Sequence, residues 1–144
     1  AVLNEVEAAT VRSLKDFGMK IGTAYQIYDD CLDIAGNECV IGKTLGTDLR
    51  KGKLTLPVLM LLQSARPLER EQYCQMIVDG QVDRMTEVLK TELVSAPLSE
   101  SITAGQNLIR EAEAELRLLP PGRYADAMTQ LGEALHDLLD QLRD

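Results

Sequence analysis

An all-α fold is predicted for this 144-residue chain on three observations. Apolar residues recur at intervals of three and four along most of its length, the spacing that gathers them on one face of a helix. Strand-like alternation, internal repeats, low-complexity runs and a domain linker are all absent, so residues 1–144 are expected to form one helical domain. Helix-stopping residues are concentrated at a few places, among them Pro67, Asp79-Gly80 and Pro120-Pro121-Gly122, which divide the chain into helix-sized segments.

The elements follow in order. Ala8, Val11, Leu14, Phe17 and Ile21 mark the core face of a first helix. Gly18 or Gly22 is expected to separate it from a second helix over 24–35, unless the two run on as one. Residues 37–53 form a loop. Thr55 and Pro57 open the next helix, because proline in a first turn lacks only an N–H that has no partner there. That helix runs through Val58-Leu59-Met60-Leu61-Leu62 and stops before Pro67. Glu69 to Val78 and Asp83 to Leu93 are short helices divided by Asp79-Gly80. A longer helix from about Ser99 to Leu119 ends at Pro120-Pro121-Gly122, and Tyr124 to Leu142 closes the chain as an amphipathic helix.

The helix over 24–35 holds three carboxylates in an otherwise apolar run. At about 100° per residue, Gln26, Asp29, Asp30 and Asp33 fall in a stripe roughly 100° wide, and Ala24, Tyr25, Ile27, Tyr28, Cys31, Leu32, Ile34 and Ala35 cover the rest. The pattern is that of a buried helix with a narrow acidic wedge. Side chains one turn apart lie about 6 Å from each other, so ionised Asp29 and Asp33 would repel by roughly 3 kcal/mol at an effective dielectric near 20. Either raised pKa values keep protons on the wedge, or hard divalent cations sit there, with magnesium bound through one or two carboxylates plus substrate phosphates the usual arrangement.

The next segment favours the cation. From Gly36 to Lys53 the chain carries Gly36, Gly42, Gly46 and Gly52 with Lys43, Arg50, Lys51 and Lys53. Glycine permits a tightly turning backbone, and lysine is a compact charge suited to phosphate. An acidic wedge beside such a loop implies a phosphorylated ligand carried with magnesium.

Gln26-Ile27-Tyr28-Asp29-Asp30-Cys31-Leu32-Asp33, then Gly42-Lys43, Gly46-Thr47-Asp48-Leu49 and Gly52-Lys53-Leu54-Thr55-Leu56-Pro57, closely resemble the second aspartate-rich region of the all-trans polyprenyl diphosphate synthases, the family of farnesyl, geranylgeranyl and longer-chain synthases. The resemblance is specific over residues 18 to 62 and softer beyond, where Leu118-Leu119-Pro120 and Tyr124 also fit. It implies the C-terminal part of the isoprenoid synthase helical bundle. It also implies magnesium, with manganese as a substitute, and two substrates, an allylic diphosphate and isopentenyl diphosphate. Asp29 matches the aspartate that binds magnesium most directly, and Asp30 and Asp33 match those that complete the motif and hold metal-bound water. Gln26 matches a contact to the diphosphate or its metal shell. Lys43 and Lys53 match the lysines that contact the allylic diphosphate and close over it, and Asp48 matches an aspartate near the metal or the loop lysines. The chemistry implied is ionisation of the allylic C–O bond to a delocalised cation, attack by the isopentenyl double bond, and loss of a proton to the departing diphosphate. Its stabilisation is electrostatic, and no protein nucleophile is needed.

Synthases of this family are about twice as long, and their first aspartate-rich motif, isopentenyl site and chain-length-limiting residues lie upstream. The 144 residues contain no second DDxxD and open in what reads as mid-helix. The expectation is therefore the C-terminal half of a synthase, as part of a prenyltransferase that forms a homo-oligomer, a dimer by family resemblance, with the half alone inactive. The alternative is a noncatalytic fragment or subunit that modulates a partner synthase. Ile27, Leu32 and Ile34 are expected to lose their partners in such a half and to promote self-association.

Composition bounds the remaining choices. A formal charge of −8 argues against nucleic acid and anionic membrane surfaces, which require a basic patch. The longest apolar run, Leu54 to Leu62, is far short of the roughly 20 residues that span a bilayer. Cys31, Cys39 and Cys74 show no paired or metal-ligand spacing and read as reduced thiols, which suggests a cytoplasmic protein. Cys31 reads as a small apolar filler. His136 and Glu111, Glu113 and Glu115 read as solvated surface groups, and Tyr25 and Tyr28 as either a tunnel lining or packed core. Arg143 has no assigned role.

Overall fold

The computed structural model describes residues 7–36, 46–91 and 95–143, which contain helices, turns and coil but no strand. The helices are α1 (Ala8–Ala35), α2 (Thr47–Arg50), α3 (Leu56–Ser64), α4 (Pro67–Val78), α5 (Val82–Lys90), α6 (Ser95–Leu116) and α7 (Arg123–Asp140). Of the expected loop, residues 37–45 with Cys39, Gly42 and Lys43 lie outside the described residues.

Two buried clusters lie along α1. The larger joins Phe17, Ile21, Ala24, Ile27 and Cys31 of α1 to Ile102, Ile109 and Leu116 of α6 and Leu135 and Leu139 of α7. The smaller joins Ile34, at the C-terminal end of α1, to Leu49, Val58, Leu61, Tyr73, Met85 and Leu89, drawn from α2 to α5. Leu98, near the start of α6, packs against both. The long helices α1 and α6 make the most extensive pairing, and α6 packs in turn on α7 and α3. At Gly105 of α6 a Cβ would stand 3.0 Å from Leu139 and 3.4 Å from Ile27, so the absence of a side chain lets the three helices close up.

The helix boundaries differ from the expected ones for local reasons. Of the two arrangements left open at Gly18 and Gly22 the continuous one forms, and α1 runs unbroken for 28 residues. Each glycine costs roughly 0.5–1 kcal/mol in a helix interior, and the buried neighbours Phe17, Ile21 and Ala24 offset it through packing. Helix α6 starts at Ser95 rather than Ser99, because Pro97 falls in its first turn and gives up no helix bond there. At its other end, Leu118 and Leu119 donate to Glu115 and Leu116 three residues back, tightening the last turn ahead of Pro120. Residues 47–50 form one helical turn inside the stretch expected to be loop.

Helix α1 is also less enclosed than a wholly apolar surround implies. Ser13, Phe17, Ile21, Ala24, Ile27, Cys31 and Ile34 form a single buried stripe. Ile27 and Ile34 are thus satisfied within the chain, and Leu32 is half-buried. The open apolar surface lies on another face, where Gly18, Gly22 and Tyr25 line a groove of about 410 Å³ with Leu131, Ala134 and Leu138 of α7. Tyr25 is 58% exposed, while Tyr28 packs against the larger cluster. No helix is long and apolar enough to cross a membrane, among the described residues.

Burial gives the cysteines different chemistry. Desolvation, with the Asp30 charge adding to it, pushes the Cys31 thiol from 9.0 up to about 12, whereas Cys74 is exposed. Because only thiolate reacts, brief alkylation of the folded chain at pH 8 followed by peptide mass mapping should label Cys74 and spare Cys31, and denaturant should make both reactive. The native state also keeps the Cys31 proton while the unfolded chain loses it, so this thiol lowers stability as pH rises from 9.0 towards 12.

Candidate functional site

The acidic stripe of α1 faces the start of α2 and α3, and the chain between them supplies its partners. Asp33 serves as a cap for a helix that has none of its own. Helix α2 begins after Gly46, which has no side chain to cap with. The Asp33 carboxylate takes that place: Oδ1 accepts from the Thr47 amide at 3.2 Å and its hydroxyl at 2.9 Å, and Oδ2 accepts from the Asp48 amide at 3.1 Å. The Gly46 amide donates to the Asp33 carbonyl at 2.9 Å. Otherwise orphaned first-turn N–H groups are thereby met by a negative charge, which the helix N-terminus also favours.

Asp30 stands in a similar relation to α3. It hydrogen-bonds the backbone N–H of Leu56, the first residue of α3, and accepts from Gln26 Nε2 at 2.9 Å, one turn back on α1. Its pKa is raised, first by desolvation and then by the nearby Asp48 and Asp29 charges, against the lowering effect of its two hydrogen bonds. Asp29 is half-buried beside it.

The end of α2 places the lysine. Gly52, at φ +76, takes the left-handed conformation after the helix. Its amide donates to Leu49 O at 2.9 Å and that of Lys53 to Asp48 O at 2.9 Å, the paired bonds of a Schellman motif. Lys53 is thus folded back over the buried Asp48, and its Nζ meets Asp48 Oδ1 at 2.9 Å. The Lys53 pKa is raised, mainly by this bond, with further contributions from Asp30 and Asp29. The ammonium is exposed and keeps donors beyond the one given to Asp48.

The structure therefore brings Gln26, Asp29, Asp30, Asp33, Asp48 and Lys53 together, while Lys43 lies outside the described residues. His136 is elsewhere, with Nδ1 3.6 Å from Asp140 Oδ2 on α7. Glu115 is not solvated as expected but accepts from Lys20 of α1 at 2.9 Å. Arg143 lies against Gln106 and Thr103 of α6, a tie between helices. Sequence reasoning missed Thr47 and the part played by α5. There Asp83 pairs with Arg50 at 2.5 Å, and Gly46 sits so close to Thr86 that a Cβ would fall 2.8 Å from its hydroxyl oxygen. The signal for Thr47 was present, since Gly-Thr-Asp opens a helix as readily as a loop.

No group of three or more His, Cys, Asp and Glu side chains could hold a metal alone, among the described residues. The donor set is of the kind a hard cation takes when its ligand completes the shell: Asp29 and Asp30 are two half-buried carboxylates close enough to feel each other's charge, and magnesium uses one or two carboxylates when phosphates supply the rest.

Comparison with known proteins gives a consistent set. A family model described as polyprenyl synthetase matches residues 1–92. A short chain isoprenyl diphosphate synthase of Methanothermobacter thermautotrophicus is 26% identical over 133 residues, 92% of this chain and 41% of that protein. An octaprenyl diphosphate synthase of Escherichia coli is 30% identical over 121 residues, 83% of this chain and 38% of that protein. In fold, the chain is similar to a heptaprenyl diphosphate synthase from Staphylococcus aureus, with a TM-score of 0.78 and 23% identity over 95% of this chain and 43% of that one. The chain spans about two-fifths of the length of these relatives.

The raised Asp30 pKa has a signed consequence. Between 3.8 and its raised value the native carboxyl keeps a proton that the unfolded chain has lost, so stability falls as pH rises through that window. Asp30→Asn removes the slope. Urea midpoints taken against pH should show the variant gaining on the parent as pH rises through the window, and a constant difference would contradict the environment described for Asp30.

Proposed function

The chain belongs to the polyprenyl synthetase family, and from that premise we propose that, within a complete enzyme, it carries out prenyl transfer. The reaction is magnesium-dependent condensation of isopentenyl diphosphate with an allylic diphosphate to an all-trans polyprenyl diphosphate. The observation that carries the reading is the juxtaposition of two half-buried carboxylates, Asp29 and Asp30, with the exposed Lys53 ammonium. Paired carboxylates and an exposed ammonium that keeps donors beyond the one given to Asp48 suit a metal–diphosphate ligand.

In this reading Asp29 and Asp30 hold magnesium, and Asp33 completes the motif through metal-bound water. Magnesium, when bound, draws charge from the allylic diphosphate and so eases ionisation of its C–O bond. Gln26 keeps Asp30 oriented with its amide N–H and offers its carbonyl oxygen to the metal shell. Lys43 and Lys53 donate to the diphosphate oxygens, where they stabilise the charge that develops on departure. The isopentenyl site and a second set of metal ligands would be supplied outside the stretch described. A homo-oligomer and a cytoplasmic location belong to the same proposal. The first is supported by the exposed Met19, Tyr25 and Leu131, and the second by the free thiols of Cys31 and Cys74.

The assay is incorporation of labelled isopentenyl diphosphate into prenyl product by the complete enzyme. Asp29→Ala should lower turnover roughly 100- to 1000-fold, the usual effect of losing one strong electrostatic contact. Lys43→Ala should act comparably, mainly through weaker diphosphate binding, and His136→Ala should leave turnover unchanged. The 144-residue chain alone should show no product. Full activity of the Asp29 variant, or turnover by the isolated chain, would overturn the assignment.

A further inference from the structure

We propose that Asp33 is a positioning residue, whose main role in the reaction is to set the place of Lys53 by fixing helix α2. The inference rests on the prenyl-transfer reading and deepens it. An ionised carboxylate has about four acceptor positions, and three of those on Asp33 are taken by the Thr47 amide, the Thr47 hydroxyl and the Asp48 amide. Among the described residues one is left, enough for a single metal-bound water. By contrast, no hydrogen bond or ion pair engages the Asp29 side chain among the described residues.

Helix α2 depends on this cap because it is a single turn of four residues, far below the length at which a helix holds itself together. It is held from outside, by the burial of Leu49 in the smaller cluster and, among the described residues, by polar and packing contacts on two sides. On one side Asp33 grips the first two amides. On the other, α5 grips it through the Asp83–Arg50 pair and through Thr86 packed on Gly46. The contacts that locate Lys53 among the described residues run through α2: the Schellman turn through Gly52 fixes its backbone to the Asp48 carbonyl, and the Asp48 carboxylate fixes its ammonium. Three contacts thus connect Asp33 to Lys53 without a metal between them. An amide at position 33 turns an N–H₂ towards one of the donors it now accepts from, so Asp33→Asn should loosen the first turn of α2 and with it Lys53.

The test uses the complete enzyme with Asp33→Asn, Thr47→Val and Thr47→Ser, and Asp29→Ala for reference. Amide hydrogen exchange of Thr47 and Asp48 is read without metal, and KM for the allylic diphosphate and the half-saturating magnesium concentration are read separately. Asp33→Asn should speed exchange of both amides by about tenfold or more, as expected for lost bonds to a charged group. It should also raise KM while moving the magnesium half-point much less than Asp29→Ala does. Thr47→Val should change exchange and KM in the same direction, and Thr47→Ser, which keeps the hydroxyl, should restore both. Unchanged exchange in Asp33→Asn, or a magnesium half-point moved as far as in Asp29→Ala with KM unmoved, would overturn the positioning role. Failure of the prenyl-transfer reading looks different: turnover indifferent to magnesium or to Asp29→Ala, with the exchange result intact.

Discussion

Three carboxylates on one stripe of a packed helix need hydrogen-bond donors, and the smaller half of this fold is arranged around that need. Bonds to a charged group are worth about 1.5–3 kcal/mol each, and leaving such a group unmet in a partly buried place costs more. Two of the three aspartates are met by the starts of other helices: Asp33 by the first two amides of α2, and Asp30 by the first amide of α3. The same contacts seat Leu49 and Val58 against Ile34 and so help to close the second cluster. Electrostatic satisfaction and hydrophobic burial are therefore coupled here, and a change at position 33 acts on both.

The stripe is satisfied unevenly among the described residues, and the proposed site rests on that unevenness. Asp33 is nearly saturated with protein donors, Asp30 shares its oxygens with Gln26 and Leu56, and Asp29 is the least engaged among the described residues. Preorganised groups that hold their places before a ligand arrives need no rearrangement when charge develops. Lys53 belongs to the same arrangement. Its ammonium rests on Asp48, so it stands close to the acidic edge with its backbone already fixed.

Periodicity alone made much of the fold legible. The 3.6-residue spacing from Ala8 to Ile21, the Thr55–Pro57 start and the Pro120-Pro121-Gly122 stop each correspond to an element of the structure. Where local signals left a choice or misled, tertiary packing decided: of the two readings open at Gly18 and Gly22 the continuous α1 forms because their buried neighbours hold it straight, and Ile27 and Ile34 found partners in α6 and α7 and in α2 to α5. The acidic wedge and its proximity to Lys53 were also legible, because helix geometry and a short connection leave few alternatives. The capping of α2 by Asp33 was not. It depends on a contact across fourteen residues, and nothing in the local pattern of either segment separates a carboxylate that waits for a metal from one that holds a helix.

The central claim is that Asp29 and Asp30 form an oxygen edge completed by a metal–diphosphate ligand rather than by metal alone. Carboxyl ¹³C shifts of the aspartates, followed in the complete enzyme during addition of magnesium, inorganic pyrophosphate and both together, test it directly. The account predicts large shifts at Asp29 and Asp30 only when both are present, with a smaller change at Asp33. Equal shifts at all three with magnesium alone, or none with the pair, would contradict it.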